Sequence, residues 1–538
     1  MKKLIPLVLV LLVLGGAVFA AGSSAASGSA PAAPASATKT PLGQYPIDTP
    51  VTLRYWLVLA ANMAANYTNM ADTPFGQELL KRTGVKISWE HPAGTAADAF
   101  NLMVASGQDM PDIIEYNWVT LVGGPEKAIS DGTILKLNDA IDKYAPNLKA
   151  VLKANPDWDR MVKTDNGSYY VFPFIRGDEK LLYSQGLMIR NDWLKELGLQ
   201  PPQTIQDWHD VLAAFRDKKN IAAPFTQVWT NRNRMFIPGF GILDGMYIGA
   251  GDNKVHFGNI ETGYRNWIAT MAQWYQEGLI DKDIATITTN QQNQKMTSGA
   301  SGATVASVGS GMGTWTVAAK PTNPNYEILA LQYPVVNKGD KLVYSIPNQP
   351  YSGQDSPAIS AQSKNVEIAA RFLDYGYTAQ GHNVYNFGTE GVSYTMVNGI
   401  PTFSPFVMNG AGKNWPLAQA MSAYSRSPMA GPFVQDKGYI EQYYAAPEQA
   451  QALQNYILPG ATTYLLPSVT PTQAESREYA TIMNDINTYV NEKTTRWLLG
   501  NDPVNDATWN DYVSTLQKMG IDRAIAIQNG ALDRYNKR

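Results

Sequence analysis

VKISWEHPAGTAADAFNLMVASGQDMPDIIEYNW, residues 85–118, reads as strand, helix and strand. VKISWEH (85–91) is rich in strand-forming residues, ADAFNLMVASGQ (97–108) is helical until Gly107 stops it, and MPDIIEYNW (110–118) opens on a proline and is extended again. Upstream, VTLRYWL (51–57) alternates like a strand, and PFGQELLKR (74–82) is a helix ending at Thr83-Gly84. Strand, helix, strand, helix, strand predicts βαβ units and a mostly parallel sheet.

The pattern continues downstream. ILKLNDAIDKYAPNLKAVLKANP (134–156) is helical and weakened at Pro146; GSYYVFPF (167–174) is extended. SQGLMIRNDWLKELGL (184–199) is a strand running into a short helix capped by Asn191 or Asp192. A helix opens with the proline pair and Thr204 of PPQTIQDWHDVLAAFRDK (201–218), and GYRNWIATMAQWYQEGLID (263–281) is amphipathic with a stop at Gly278. SKNVEIAARFLDYGYT (363–378) is helical, as is most of 473–533. Two such α/β sets exceed one core, so the chain is expected to form two lobes.

The 538 residues contain no cysteine, which excludes disulfides, cysteine-ligated metals and a thiol-linked lipid anchor. MKKLIPLVLVLLVLGGAVFAAGSS at the start has the charge, apolar run and small residues of a secretory leader, with cleavage expected after Ala20. Its apolar run (4–14) is shorter than the roughly 20 residues that span a bilayer. Residues 21–45 are rich in Ala, Ser and Pro and read as a tether. A formal charge of −3 without a basic run gives nothing that favours nucleic acid or anionic membranes, and no nucleic-acid partner is expected. Charged residues are sparse (17%) while Tyr (29) and Trp (13) together far outnumber Phe (15), a balance suited to neutral, hydroxyl-rich ligands. The four histidines, His91, His209, His256 and His382, are scattered and make no zinc motif. No Gly-x-Ser-x-Gly elbow occurs, so no catalytic residue, metal or cofactor is assigned.

GQDMPDII (107–114), DGTILKLNDAIDKYAPNL (131–148), GSYYVFPF (167–174) and IRNDWLKELGLQPPQTIQDW (189–208) follow one another in order. WYQEGLIDKD (274–283), ARFLDYGYTAQGHNVYNFGTEGVSYT (370–395) and WNDYVSTLQKMGIDRAIAIQNGALDRY (509–535) complete the series. Together they resemble the extracellular solute-binding proteins of sugar-type ABC importers, in the LipO-like branch. The resemblance implies a two-lobed class II periplasmic-binding-protein fold, α/β in both lobes, with a hinge and an interlobe cleft. By analogy one lobe takes residues 46–175 and 350–405 and the other 176–349 and 406–538, with crossings near 172–174 and 347–351 and a third soon after 405. It further implies a soluble periplasmic or secreted monomer that captures a sugar or oligosaccharide by hinge closure and delivers it to an ABC permease in the inner membrane.

A sugar site needs flat rings for the C–H faces and polar groups for the hydroxyls, at the strand ends of an open sheet. Glu115, Tyr116, Asn117 and Trp118 follow the strand PDII and make the richest combination, with Trp118 or Tyr116 either touching ligand or capping the core. Trp229, Asn231 and Arg232 fall in a predicted loop, where Arg232 either bridges hydroxyls or forms a surface ion pair. SVGSGMGTW (307–315) lacks the Gly-Lys-Ser/Thr ending of a phosphate loop and reads as a tight βα turn presenting Trp315 to the cleft. Trp56 and Asn62 follow the first strand, and Tyr351 and Tyr394 are placed at the hinge. In NFGTEGVSYTMVNGIPTF (386–403), Glu390 stands between two glycines and ahead of an Asn-Gly turn; it either accepts from sugar hydroxyls or fixes its own loop.

Two other classes remain. A secreted carbohydrate-active enzyme would need two facing carboxylates, and a peptide-binding protein would need partners for charged termini; neither set stands out. Cleavage of a glycan would mark the first, and a thermal shift with peptides alone the second.

Overall fold

β1 (Thr52–Trp56), β2 (Lys86–Glu90) and β3 (Ile113–Tyr116) form where the alternation predicts, in a computed structural model that describes residues 38–427 and 430–538. β1 pairs in parallel with β2 and β3, and the strand Ser356–Ile359 adds antiparallel to β3. The helices between them start on side-chain caps, Thr73 for Pro74–Thr83 and Thr95 for Ala96–Ser106. Both end on a left-handed glycine, Gly84 and Gly107. Pro146 does not weaken a helix but begins one. Asn138–Tyr144 stops, and Pro146–Ala154 starts with proline at its first turn, where no N–H is needed. The Asp374 carboxylate accepts from the N–H groups of that first turn, which have no intrahelical partner, Leu148 at 2.8 Å and Asn147 at 3.3 Å.

The second sheet departs from the parallel expectation. Gln185–Arg190 lies between Ala303–Ser307 and Ile328–Leu331 and pairs antiparallel with both. The βαβ logic survives only between the outer strands, which run the same way with the helix Thr314–Ala319 between them. Alternation along the three strands divides the core in two: Leu187, Ile189, Ala303 and Val305 enter one apolar cluster, and Met188, Ile328 and Ala330 another on the opposite face. The helix Asn191–Leu197 follows Arg190 without a side-chain cap, because Asp192 instead pairs with the Arg190 guanidinium at 2.6 Å.

The chain folds into two lobes. Apolar residues between Ile47 and Ile175, then between Tyr351 and Tyr385, make the core of the first sheet. The second sheet takes residues 187–344 and the late helices Gln473–Leu498 and Asp506–Lys518 on one face. Residues 387–456 supply helices and a hairpin to its other face. Phe387, Tyr394 and Phe403 therefore pack in this last cluster and not with residues 351–385. Three segments run side by side between the lobes: Arg176 N–H donates to Pro350 (2.9 Å) and Ile175 N–H to Phe433 (3.1 Å), while Ile175–Arg176 pairs in parallel with Val434–Gln435.

The expected leader and most of the expected tether lie outside the described residues. The end of the tether is held: Arg371 donates to the carbonyls of Thr40 (2.8 Å) and Pro41 (2.9 Å), and Tyr45 Oη donates to Arg371 O (2.7 Å).

Candidate functional site

The C-terminal edge of the first sheet opens into a cavity of about 260 Å³. β1 leads to Val58 and Ala60 on its wall, β3 to Asn117, and the antiparallel strand starting at Ser356 is preceded by Gln354 and Asp355. Met63 and Met70 supply apolar surface. The helix Leu417–Tyr424 closes the far side with Ser422, and the residues after it add Ser425 and Arg426. Asn66 Nδ2 donates to Gln419 Oε1 at 3.0 Å and ties the loop after β1 to this helix.

Beneath the cavity lies a buried ion pair. Arg426 donates to Glu115 Oε1, and Tyr55 Oη donates to Glu115 Oε2 at 2.6 Å. Glu115 and Arg426 side chains are 2% and 9% exposed, so the charges are paired out of water. Burial, reinforced by the neighbouring Glu115 charge, pushes the Tyr55 hydroxyl well above its ordinary range. The Asp355 backbone carbonyl accepts from Gly431 N–H (3.2 Å), while its carboxylate faces the cavity with no hydrogen-bond or ion-pair partner among the described residues. Burial, helped by Glu115 and opposed by Arg426, raises its carboxyl to about 6. Ser422 Oγ is buried and has no hydrogen-bond partner among the described residues.

The rim is pinned by His91. Its Nε2 accepts from Met70 N–H (3.1 Å), so Nδ1 carries the proton and donates to Leu57 O (3.0 Å). Burial lowers the His91 pKa and favours this neutral ring. Gly353 has φ +78°, and a side chain there would meet Val119 Cγ2 at 2.5 Å and Asn117 Oδ1 at 2.8 Å. Further along the same segment, a second cavity of about 270 Å³ is lined by residues including Asn233, Asp244, Asn348, Gln349 and Ser352. Among the described residues no three His, Cys, Asp or Glu side chains are grouped to hold a metal.

The profile of bacterial extracellular solute-binding proteins matches residues 60–383. The chain belongs to that family. The fructooligosaccharide ABC transporter substrate-binding protein FusA of Streptococcus pneumoniae is 29% identical over 491 residues, 85% of this chain and 86% of FusA. Lipoprotein LipO of Bacillus subtilis is 24% identical over 61% of this chain and 66% of LipO. The crystal structure of the alginate-binding protein AlgQ2 without calcium ion superposes with a TM-score of 0.75 at 28% identity, covering 92% of this chain and all (100%) of AlgQ2. These comparisons agree with the two-lobed α/β architecture.

In this solute-binding protein the residues singled out from sequence scatter. Asn117 lines the first cavity, and its Oδ1 also accepts from Val119 N–H at 3.2 Å. Glu115 lies under the cavity, its carboxylate engaged by Tyr55 and Arg426. Tyr116 is half-buried and stacks on Phe100 with ring centroids 3.9 Å apart; Trp56 packs against both. Trp118 is core: Phe100 meets it edge-on, and its indole N–H donates to Ile114 O at 3.3 Å. Asn62 is exposed on the short helix Ala61–Ala64, beside the cavity residues Ala60 and Met63.

The other candidates lie elsewhere. Trp229 is buried in the second lobe, donating to Thr495 Oγ1 (2.8 Å), and Arg232 donates to Asn491 (3.0 Å) on the same late helix; Asn231 is exposed. Trp315 is buried and donates to Asn293 (3.0 Å), so the glycine-rich run 308–313 carries it inward and not towards a cleft. Tyr351 is fully buried against Tyr170, their hydroxyls 2.8 Å apart. Tyr394 is buried at the start of the hairpin whose turn, Asn398 (φ 51°) and Gly399 (φ 80°), has the left-handed geometry the Asn-Gly pair predicts. Glu390 is exposed beside it; the loop is fixed by Ser393, whose Oγ donates to Phe387 O and accepts from Thr389 N–H, both at 2.7 Å.

Asp355, Ser422, Gln354 and Arg426 were not singled out. Asp355 and Gln354 were within reach of the strand-end argument, because they immediately precede a strand that returns beside β3. Ser422, on a helix 307 residues after Glu115, and Arg426, just past that helix's end and 311 residues after Glu115, carry no local pattern that marks them.

Proposed function

We propose that this protein captures an oligosaccharide between its lobes and delivers it to an ABC permease, with no chemistry performed on the ligand. The observation that carries this reading is the first-sheet cavity, where a carboxylate, two amides and two serine hydroxyls converge beside Met63 and Met70. Such a set matches a ligand with hydroxyls on its edges and C–H surface on its faces. Two similar proteins point to the same ligand class, FusA named for fructooligosaccharide and AlgQ2 for alginate. The three adjacent segments at 175–176, 350 and 433–435 are the hinge in this reading, and ligand contacts to both lobes favour the closed form by their differential affinity. Site residues in first contact are Asn117, Gln354, Asp355, Ser422 and Arg426, with Asn233, Asn348 and Ser352 extending the track. The mature protein acts as a periplasmic or secreted monomer, and no described helix is long and apolar enough to cross a membrane.

Calorimetry of the purified mature protein against a panel of oligosaccharides and peptides tests this, with the ligand recovered and analysed afterwards. An oligosaccharide bound and recovered intact supports the reading. Steady consumption of a glycan, or heat with peptides alone, refutes it.

A further inference from the structure

We propose that Asp355 makes the cavity select uncharged oligosaccharides and reject those bearing carboxylates, an inference that rests on the saccharide-binding reading above. The cavity wall carries one acid and one base, Asp355 and Arg426. The guanidinium of Arg426 donates through Nη2 to Glu115 beneath it, an ion pair withdrawn from water on both sides. Its charge is therefore cancelled locally, and Asp355 is left as the net charge of the pocket. Among the described residues no other lysine, arginine or histidine lines the cavity. The second cavity, on the same segment, repeats the balance: Asp244 lines it and no basic residue does.

A uronate carboxylate placed near Asp355 would meet a like charge at partly buried depth, with no lining cation beyond Arg426, whose charge is already balanced by Glu115. A hydroxyl meets the opposite situation. An ionised carboxylate only accepts hydrogen bonds, and a sugar hydroxyl can donate one to it. Ser422 supplies an independent sign that a polar ligand completes the site, since its buried hydroxyl on the same wall has no partner among the described residues. Hydroxyls and the amides of Asn117 and Gln354 add donors and acceptors without adding charge. The device is a repulsive one: affinity comes from shared hydrogen bonds, and discrimination comes from what Asp355 refuses.

The test uses the mature protein in calorimetry at pH 7.5 with matched pairs, each an uncharged oligosaccharide and its counterpart oxidised at C6 to the uronate. Fructo-, malto-, xylo- and arabino-oligosaccharides supply uncharged ligands, and oligogalacturonate and oligoalginate extend the acidic arm. Wild type is expected to bind an uncharged member and to bind its carboxylated counterpart on the order of a hundredfold more weakly. Asp355→Asn is expected to narrow that ratio about tenfold or more; Asp355→Ser provides a second variant should the first misfold, with circular dichroism as the check on folding. Equal or tighter binding of the uronate by wild type, or an unchanged ratio in a folded variant, overturns the inference while leaving saccharide binding intact. Failure to bind any saccharide of either kind overturns the parent reading and this inference with it.

Discussion

Replacing Arg426 with methionine should destabilise the protein far more than the loss of one hydrogen bond. Glu115 is 2% exposed, and its two donors are Arg426 and the Tyr55 hydroxyl, 2.6 Å away. Methionine fills similar volume but leaves the carboxylate buried, without its countercharge and served by one neutral donor. Removing one member of a buried pair in this way costs about 3–5 kcal/mol. For a cooperative unit of 150–250 residues that corresponds to roughly 6–20 °C in Tm. The double variant Glu115→Gln/Arg426→Met carries no buried charge, and the glutamine carbonyl still accepts from Tyr55. It should recover most of the loss, since replacing a whole buried pair is often close to neutral. Urea unfolding followed by tryptophan fluorescence and by circular dichroism measures this, with coincident curves required before a free energy is assigned. An Arg426→Met variant within about 1 kcal/mol of wild type, or a double variant less stable than the single, would refute the picture of Glu115 as a structural anion whose countercharge is Arg426.

Ser422→Ala should leave unfolding unchanged to within about 0.5 kcal/mol, because no protein bond is lost, while weakening the bound oligosaccharide roughly 2- to 10-fold if the ligand is the missing partner; calorimetry and denaturation on the same preparations separate the two. Asp355 binds its proton more tightly when folded, with a carboxyl at about 6 against 3.8 ordinarily, so the native state holds extra proton between those values and stability falls as pH rises through the window. Thermal scans from pH 4 to 7 should show wild type losing stability relative to Asp355→Asn across that range, and a difference that grows in the opposite sense would sink the assignment. Gly353→Ala should cost at least about 1 kcal/mol from its left-handed φ alone and more from the overlap with Val119, and should also weaken ligand binding by displacing Asn117; a variant with wild-type affinity and Tm would remove Gly353 from the site.

The first sheet was legible because its signals are local. Alternation marks β1 and β2, glycines mark the helix ends, and a crossover helix between neighbouring strands leaves few alternatives to parallel pairing. Strand direction in the second sheet was not, since the period of two along Gln185–Arg190 fixes which side chains share a face but not which way the strand runs. Pro146 misled for a related reason: as a residue type it signals interruption, and only the arrival of Asp374, over two hundred residues later, decides that the break is a helix start.

For the site, residue type gave position at the strand ends but not orientation. Trp118, Trp229 and Trp315 carry the flat faces a sugar site uses, yet each indole N–H is satisfied within the protein, by Ile114, Thr495 and Asn293. Glu115 is likewise fully engaged. The residues that remain open among the described ones are plainer in sequence: Ser422 with an unpaired hydroxyl, and Asp355 with an unpaired carboxylate one residue before a strand. The distinction is physical. A buried polar group whose bonds close internally builds the fold, and removing it costs stability; one left unpaired beside a cavity costs the empty protein free energy that only a ligand can return. Glu115 and Asp355 belong to opposite sides of this division although both are carboxylates at the same sheet edge. The stability of the Arg426 variants and the affinity of the Ser422 and Asp355 variants should therefore vary independently, the first set unfolding readily and the second binding poorly while staying folded.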